Sequence, residues 1–463
     1  MKCNYFLLNA LLLITLLFTK TIQAQNKTFS QQQIIDDFHN LYSSLVDTHY
    51  NAFAYISEKD FEARYQKLKN EISSPNYNLL EAITLYQQLV SSLNNGHTEI
   101  DFPVASYIQY AHAGGTLFPL ELALEGSKAF IRANYSHNAS FKKGAELISI
   151  NDKPITEILE KIYPQISAER QYLKNAKLEI YTFPRYYWYV YGQQDKFEIK
   201  VRFKDKISNH HVTAIDVFNG FEDKKDEIIN AQMTLRFYEH AAYLNPGNFS
   251  GDEKQYQQFI DDSFKQITTQ KTKNLIIDLR NNGGGNDSFS DYLVSYIADK
   301  PFKWSSKFSL RTSQLLKLDT KEKRDLNNPY WRSIMEKEDG TQYEYNLGYH
   351  EPVADGKRYK GNVYVLVNRH SHSQSSVTAA QIQDYGWGKV VGEETAEYPS
   401  LYASQFQYSL PITGIIVKIS KGYIVRVNGS EEAKGVVPTM LIKDKLRDDN
   451  DEILTTLLTR LSK

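Results

Sequence analysis

Apolar positions along the chain fall into three successive regimes. From residue 29 to 95 they recur at helical spacing: Ile34, Ile35, Phe38, Leu41 and Leu45, then Phe61, Tyr65 and Leu68, then Leu79, Leu80, Ile83, Leu85, Leu89 and Val90. Ser30 is placed to cap the first of these helices, and Asn94-Asn95-Gly96 closes the third with a turn. The pattern predicts a helical bundle over residues 28–100. Over residues 108–205 the period shortens to that of strands, as in Leu117-Phe118-Pro119-Leu120-Glu121-Leu122-Ala123-Leu124 and again at 197–203. From 206 to 463 it becomes that of an α/β fold. A helix is expected at 259–267, a fully buried strand at 274–279, a glycine turn at 283–285 and a helix at 289–298. After these come a buried strand at 363–367, a helix at 377–385 and strands at 390–391, 415–419 and 423–427. Residues 303–359 are charged and aromatic with weak periodicity, and read as an insertion or lid packed near a site. No fixed-period repeat is present.

Composition adds an address. Lys2 precedes an almost wholly apolar run, 6–18, and Thr21-Ile22-Gln23-Ala24 offers a small residue for cleavage. Residues 1–24 therefore read as an export signal, too short for a comfortable membrane span, with an uncleaved membrane anchor as the alternative. The single cysteine, Cys3, lies within it, so the expected exported chain has no disulfide and rests on core burial. Its 463 residues leave room for roughly three domains. A net charge of -1 argues against non-specific nucleic-acid binding.

Candidate chemistry gathers at two turns. Ser373 sits between the 363–367 strand and the helix that follows, facing free N–H groups and the positive end of the helix dipole. A serine there either caps the helix or acts as a nucleophile whose oxyanion is cheaply stabilised. Gly283-Gly284-Gly285 follows a buried strand and lets backbone N–H groups approach a ligand. The phosphate-binding patterns that would assign this turn to a nucleotide are missing, which leaves half of an oxyanion hole as the other reading. His370 and His372 have a spacing that suits a metal, but no third ligand is evident, so no metal or cofactor is expected.

In combination these stretches carry a resemblance. Leu275-Ile276-Ile277-Asp278-Leu279-Arg280-Asn281-Asn282-Gly283-Gly284-Gly285 closely resembles the strand-and-turn signature of the tail-specific, or C-terminal processing, serine peptidases. Val365-Leu366-Val367-Asn368 with Ser373, Gln383-Asp384-Tyr385-Gly386 and Val391-Gly392-Glu393-Glu394-Thr395 match that family's second signature. Gly435-Val436-Val437-Pro438 and Asn95-Gly96-His97-Thr98 resemble its closing and upstream motifs. The stretch 143–159, with Ile150-Asn151-Asp152, resembles a PDZ domain, a module that binds extended peptide by strand addition.

The resemblance implies an α/β catalytic core with a crotonase-like sheet-and-helix spiral, an exported endopeptidase and a polypeptide substrate. It implies Ser373 as nucleophile, with Ser371 and Ser375 as rivals. Many relatives place an activating lysine where this chain has Tyr398, and a glutamate where it has Ser376. The chain is therefore more similar to the tricorn-like branch, which implies His97 as general base and Glu432 as accessory carboxylate, with Glu431 as understudy. Gly283, Gly284 and the Gln374 N–H are the implied oxyanion donors. The two departures also keep open a catalytically degenerate binding protein on the same scaffold.

Overall fold

The computed structural model describes residues 27–218 and 232–463, so the export segment expected at 1–24 lies outside the described residues. Three helices lead the described chain: α1 (Gln31–Thr48), α2 (Glu58–Asn70) and α3 (Leu79–Ser91). Ser30 and Gln33 form a reciprocal capping box at the start of α1, and Asn78 and Glu81 do the same for α3. Their apolar stripes, including Ile34, Phe38, Leu41, Tyr86 and Leu89, close a core that also takes in Leu410, Ile415, Val417 and Ile419 from far along the chain. The helices thus pack on a sheet of the C-terminal half. The two-residue strand β1 (Glu99–Ile100) follows directly and joins that sheet.

Next comes an antiparallel sheet of β2 (Leu120–Glu125), β3 (Lys128–Asn134), β4 (Glu146–Ile150), β5 (Lys196–Phe203) and β6 (Lys206–Thr213), in the order β6-β5-β4-β3-β2. Helices α4 (Ile155–Ile162), α5 (Gln171–Leu178) and α6 (Thr182–Tyr191) fill the gap between β4 and β5. Asn151 and Asp152 take positive φ, 49° and 61°, in the tight turn expected of them.

The C-terminal half contains two sheets. The larger runs β7 (Thr234–Tyr238), β8 (Ala241–Asn245), β9 (Asn274–Asp278), β12 (Asn362–Val367), β13 (Lys389–Gly392) and β16 (Met440–Leu441) in that spatial order. Apart from the β7/β8 pair it is parallel. Leu275, Ile277, Val363, Val365 and Val367 face one core, and Ile276 and Leu366 face another, which is why these strands read as continuous apolar runs. Helices α7 (Glu253–Thr269), α8 (Asp287–Ser295) and α11 (Gln374–Asp384) follow strands of this sheet.

The second sheet takes in residues 303–359, expected to be an insertion or lid packed near the site. Strand β10 (Ser305–Arg311) and β11 (Gln342–Glu344) bracket α9 (Gln314–Lys323) and α10 (Pro329–Glu336). Strand β10 pairs along Ser305 to Leu310 with β15 (Ile416–Arg426), so the start of this segment is a paired strand of the sheet. Strand β14 (Leu401–Ser409) completes the order β11-β10-β15-β14, with β1 also on β15. The two strands expected at 415–419 and 423–427 are the single strand β15. Among the described residues no helix is long and apolar enough to cross a membrane.

Candidate active site

Ser373 lies between the end of β12 and α11 with φ 53° and ψ -128°, a positive φ that is costly for a residue with a Cβ. Its side chain makes no capping hydrogen bond to the helix. It points instead at His97, whose Nε2 is 3.0 Å from Ser373 Oγ across 276 positions of chain. The rival serines face inward: Ser371 and Ser375 are fully buried, and both hydroxyls donate to the Leu279 carbonyl, at 2.8 and 3.2 Å. Ser376 is buried as well and donates to the Ser371 carbonyl.

His97 is delivered by the turn between α3 and β1. Asn95 anchors that turn, accepting from Thr98 Oγ1 and Ser420 Oγ at 2.7 Å each. The Gly96 N–H donates to Glu169 at 2.7 Å, and Gln405 Nε2 donates to the His97 carbonyl at 2.9 Å. Strand β1 then locks the turn against β15, so the docking of the helical region positions the imidazole.

The carboxylate beside His97 is Glu397, which sequence reasoning missed. Its Oε1 is 3.1 Å from His97 Nδ1, and its Oε2 accepts the backbone N–H of Ser373. Glu397 is 1% exposed, so its charge is barely screened by water. Burial opposes its ionisation, but His372, His97 and the Ser373 N–H outweigh burial and hold its pKa at about 2. Burial likewise disfavours a charged His97, and Glu397 overrides it, raising the imidazole above its ordinary value. His372 shares Glu397 Oε1 at 3.2 Å, yet burial prevails there and lowers it to about 4.

Glu432 is not in this cluster. It is exposed on a loop and lines a separate cavity with Gln383, Arg426 and Lys434; its neighbour Glu431 accepts from the Tyr423 hydroxyl. Tyr398, which stands where relatives place a lysine, is buried beneath the Arg170 guanidinium, 4.9 Å from the ring centre. The signal for Glu397 lay one position away, but it belongs to no periodic element. His370 turns away from Ser373 and binds Glu179 Oε2 at 2.9 Å.

The glycine turn packs on the serine turn. A Cβ on Gly284, which has φ +84°, would come within 2.7 Å of Gln374 N, His372 O and Ser373 Cβ. The N–H groups of Gly283 and Gly284 are already taken, by Asn248 Oδ1 at 3.0 Å and Asn282 Oδ1 at 2.8 Å. Those two sequence-predicted donors are thus bound to side chains. The Gln374 N–H belongs to the first turn of α11, where no intrahelical acceptor exists. Gly285 lines the same cavity as Ser373, Gln374 and His97. Because the Gly284 carbonyl accepts from the Phe249 N–H, the trans peptide turns the Gly285 N–H to the opposite side. The cavity, about 560 Å³, continues past Trp304, Phe308, Tyr330 and Leu347 to Ala403, Ser404 and Gln405 on β14, and is large enough for side chains of an extended chain.

A hydroxyl, an imidazole and a buried carboxylate stand in series beside a glycine turn, an arrangement of the kind that activates a serine nucleophile in serine hydrolases. Residues 240–442 match Peptidase family S41. It is 30% identical over 180 residues to the Tail-specific protease of Haemophilus influenzae (strain ATCC 51907 / DSM 11121 / KW20 / Rd), a match over 37% of this chain and 20% of that protein. The match thus spans about a fifth of the length of that relative. In fold the chain is similar to mature CPAF complexed with lactacystin, with TM-score 0.68, 13% identity, and 93% and 97% of the two chains covered. It is similar also to mature CPAF alone, with TM-score 0.65, 14% identity and coverages of 94% and 96%.

Proposed function

We propose that this chain is an exported serine endopeptidase that hydrolyses extended or unfolded polypeptides through an acyl-enzyme. The observation that carries the reading is the continuous series Ser373 Oγ, His97 Nε2 at 3.0 Å, and His97 Nδ1 to Glu397 at 3.1 Å. A serine hydroxyl needs a partner to take its proton, and the neutral His97 Nε2 is within reach to do so. Ser373 attacks the carbonyl carbon while His97 accepts the proton and Glu397 stabilises the imidazolium. The N–H groups of Gln374 and Gly285 receive the developing oxyanion. His97 then returns the proton to the leaving amine, and a water repeats the sequence to release the acid. Tyr398 offers no amine, which supports the histidine-activated branch over a Ser/Lys pair. Strand β14 is a sheet edge, and Ala403, Ser404 and Gln405 on it line the cavity, so an extended substrate can pair with it as an added strand.

The test is turnover of casein or an unfolded peptide library by purified protein and by Ser373→Ala and His97→Ala. Both variants are expected to lose activity by at least about a thousandfold. A fluorophosphonate probe should label Ser373 stoichiometrically. Equal cleavage in the parent and both variants would overturn the assignment; a folded parent with neither cleavage nor label would favour the binding protein instead.

A further inference from the structure

His97 and Glu397, which the peptidase chemistry uses, form a second constellation with His372, which it does not. The two rings are 5.1 Å apart between centroids, with planes 17° from parallel, and each brings one nitrogen to the same carboxylate oxygen. His97 Nδ1 is 3.1 Å and His372 Nε2 is 3.2 Å from Glu397 Oε1, and the three atoms lie within 4.8 Å of one another. None of the three makes a directed hydrogen bond, although all three atoms are buried. The contacts are close but off the donor line, so three potential ligand atoms converge on one point.

Resting on the peptidase reading of the same residues, we infer that these three atoms form an inhibitory zinc site. Zinc takes imidazole nitrogen and carboxylate oxygen at about 2.0–2.2 Å, which sets neighbouring tetrahedral ligands roughly 3.3 Å apart. Two edges of the triangle already have that length. Two histidines and one carboxylate are also a donor set that zinc prefers over calcium or magnesium. The His372 side chain is 23% exposed, which gives the ion an approach from solvent along that ring.

Inhibition follows from the tautomer. A metal on Nδ1 of a neutral imidazole occupies that lone pair, so the ring proton moves to Nε2. His97 Nε2 then carries a hydrogen toward Ser373 Oγ and has no lone pair to accept the serine proton. Glu397 is withdrawn from the ring at the same time. The ion therefore switches off the base without touching the serine or filling the substrate cavity.

Zinc binding is measured first on full-length Ser373→Ala, which separates binding from turnover. Competition with a metallochromic indicator should show one zinc per chain that is not displaced by millimolar magnesium. Adding His372→Gln or Glu397→Gln to this background should weaken that site at least about tenfold. Replacing the surface pair His210 and His211 with Gln should leave it unchanged. The active chain should lose cleavage at the zinc concentration that saturates the site and regain it on chelation. An affinity insensitive to His372→Gln and Glu397→Gln, or lost only with His210 and His211, overturns the inference. So does full cleavage with the site saturated. A chain that binds zinc as described but never cleaves peptide would instead defeat the peptidase reading, leaving the metal site standing.

Discussion

At the scale of single residues, function rests on which carboxylate touches His97. Glu397 is 3.1 Å from His97 Nδ1 and buried, whereas Glu432 stands on an exposed loop at another cavity. Glu397→Gln should lower kcat by about a hundredfold or more, and Glu432→Gln should leave it within about twofold. The pH profile gives a sharper test. In the proposed mechanism His97 must be neutral to take the serine proton, so kcat/KM should fall as pH drops through the His97 pKa. Burial lowers that pKa and the Glu397 charge more than offsets it, so the parent acid limb lies above the ordinary histidine value. Removing the charge leaves burial opposed only by the weaker influence of Glu169, and the limb of Glu397→Gln should move to lower pH. A limb that stays in place would mean Glu397 does not face the base. His372, held at about 4, stays neutral throughout this range.

At the scale of elements, the decisive contact is the glycine turn after β9 against the serine turn before α11. Gly284 takes φ +84° and has backbone within 2.7 Å of where a Cβ would sit, while Gly283 has only Asn248 Oδ1 at 4.0 Å. Gly284→Ala must therefore push Ser373 and Gln374 aside. About 1 kcal/mol is lost to the left-handed backbone alone, and the overlap adds to it. It should lower the melting temperature and cut kcat about a hundredfold by displacing the Gln374 N–H, the proposed oxyanion donor. Gly283→Ala should do neither, and equal damage from both in thermal melts and turnover would refute the packing argument. These two turns were legible in the sequence because β9 and β12 are buried on both faces and read as unbroken apolar runs ending in Gly or polar residues. The sheet opposite was not. Strands β10 and β14 carry Ser, Lys and Gln among their apolar positions because one face lines a cavity, and Ser404 takes a positive φ of 55° that breaks the alternation. Glu397 sits in a loop with no period to betray it. His97, 276 residues before Ser373, was found through a resemblance in its motif and not through any pattern that measures proximity.

At the scale of the whole molecule, the site is assembled from three distant stretches, and two consecutive residues of the β-rich region hold two of them. Glu169 accepts the Gly96 N–H at 2.7 Å and Asn95 Nδ2 at 3.1 Å, fixing the turn that carries His97. Arg170 fixes the loop that carries Glu397: its guanidinium donates to the Ala396 carbonyl at 2.8 Å, the Thr395 carbonyl at 2.7 Å and Glu394 Oε1 at 2.9 Å, and lies over the Tyr398 ring. Arg170 touches neither Ser373 nor the cavity, so it acts by positioning. A planar fork with several fixed donors suits this task, and a lysine cannot reproduce it. Arg170→Ala should free the 394–398 loop, letting Glu397 leave His97 for part of the time. The expected result is a loss in kcat of about ten- to a hundredfold with KM for a short peptide little changed, because ground-state binding in the cavity is untouched. Arg170→Lys should recover only a part of it. The acid limb of kcat/KM should shift in the same direction as in Glu397→Gln but less far, since the carboxylate is displaced and not removed. That partial shift separates positioning from simple destabilisation, which would reduce the amount of active protein and leave the limb where it was. A wild-type kcat in Arg170→Ala would show that the Glu397 loop holds its place without the β-rich region.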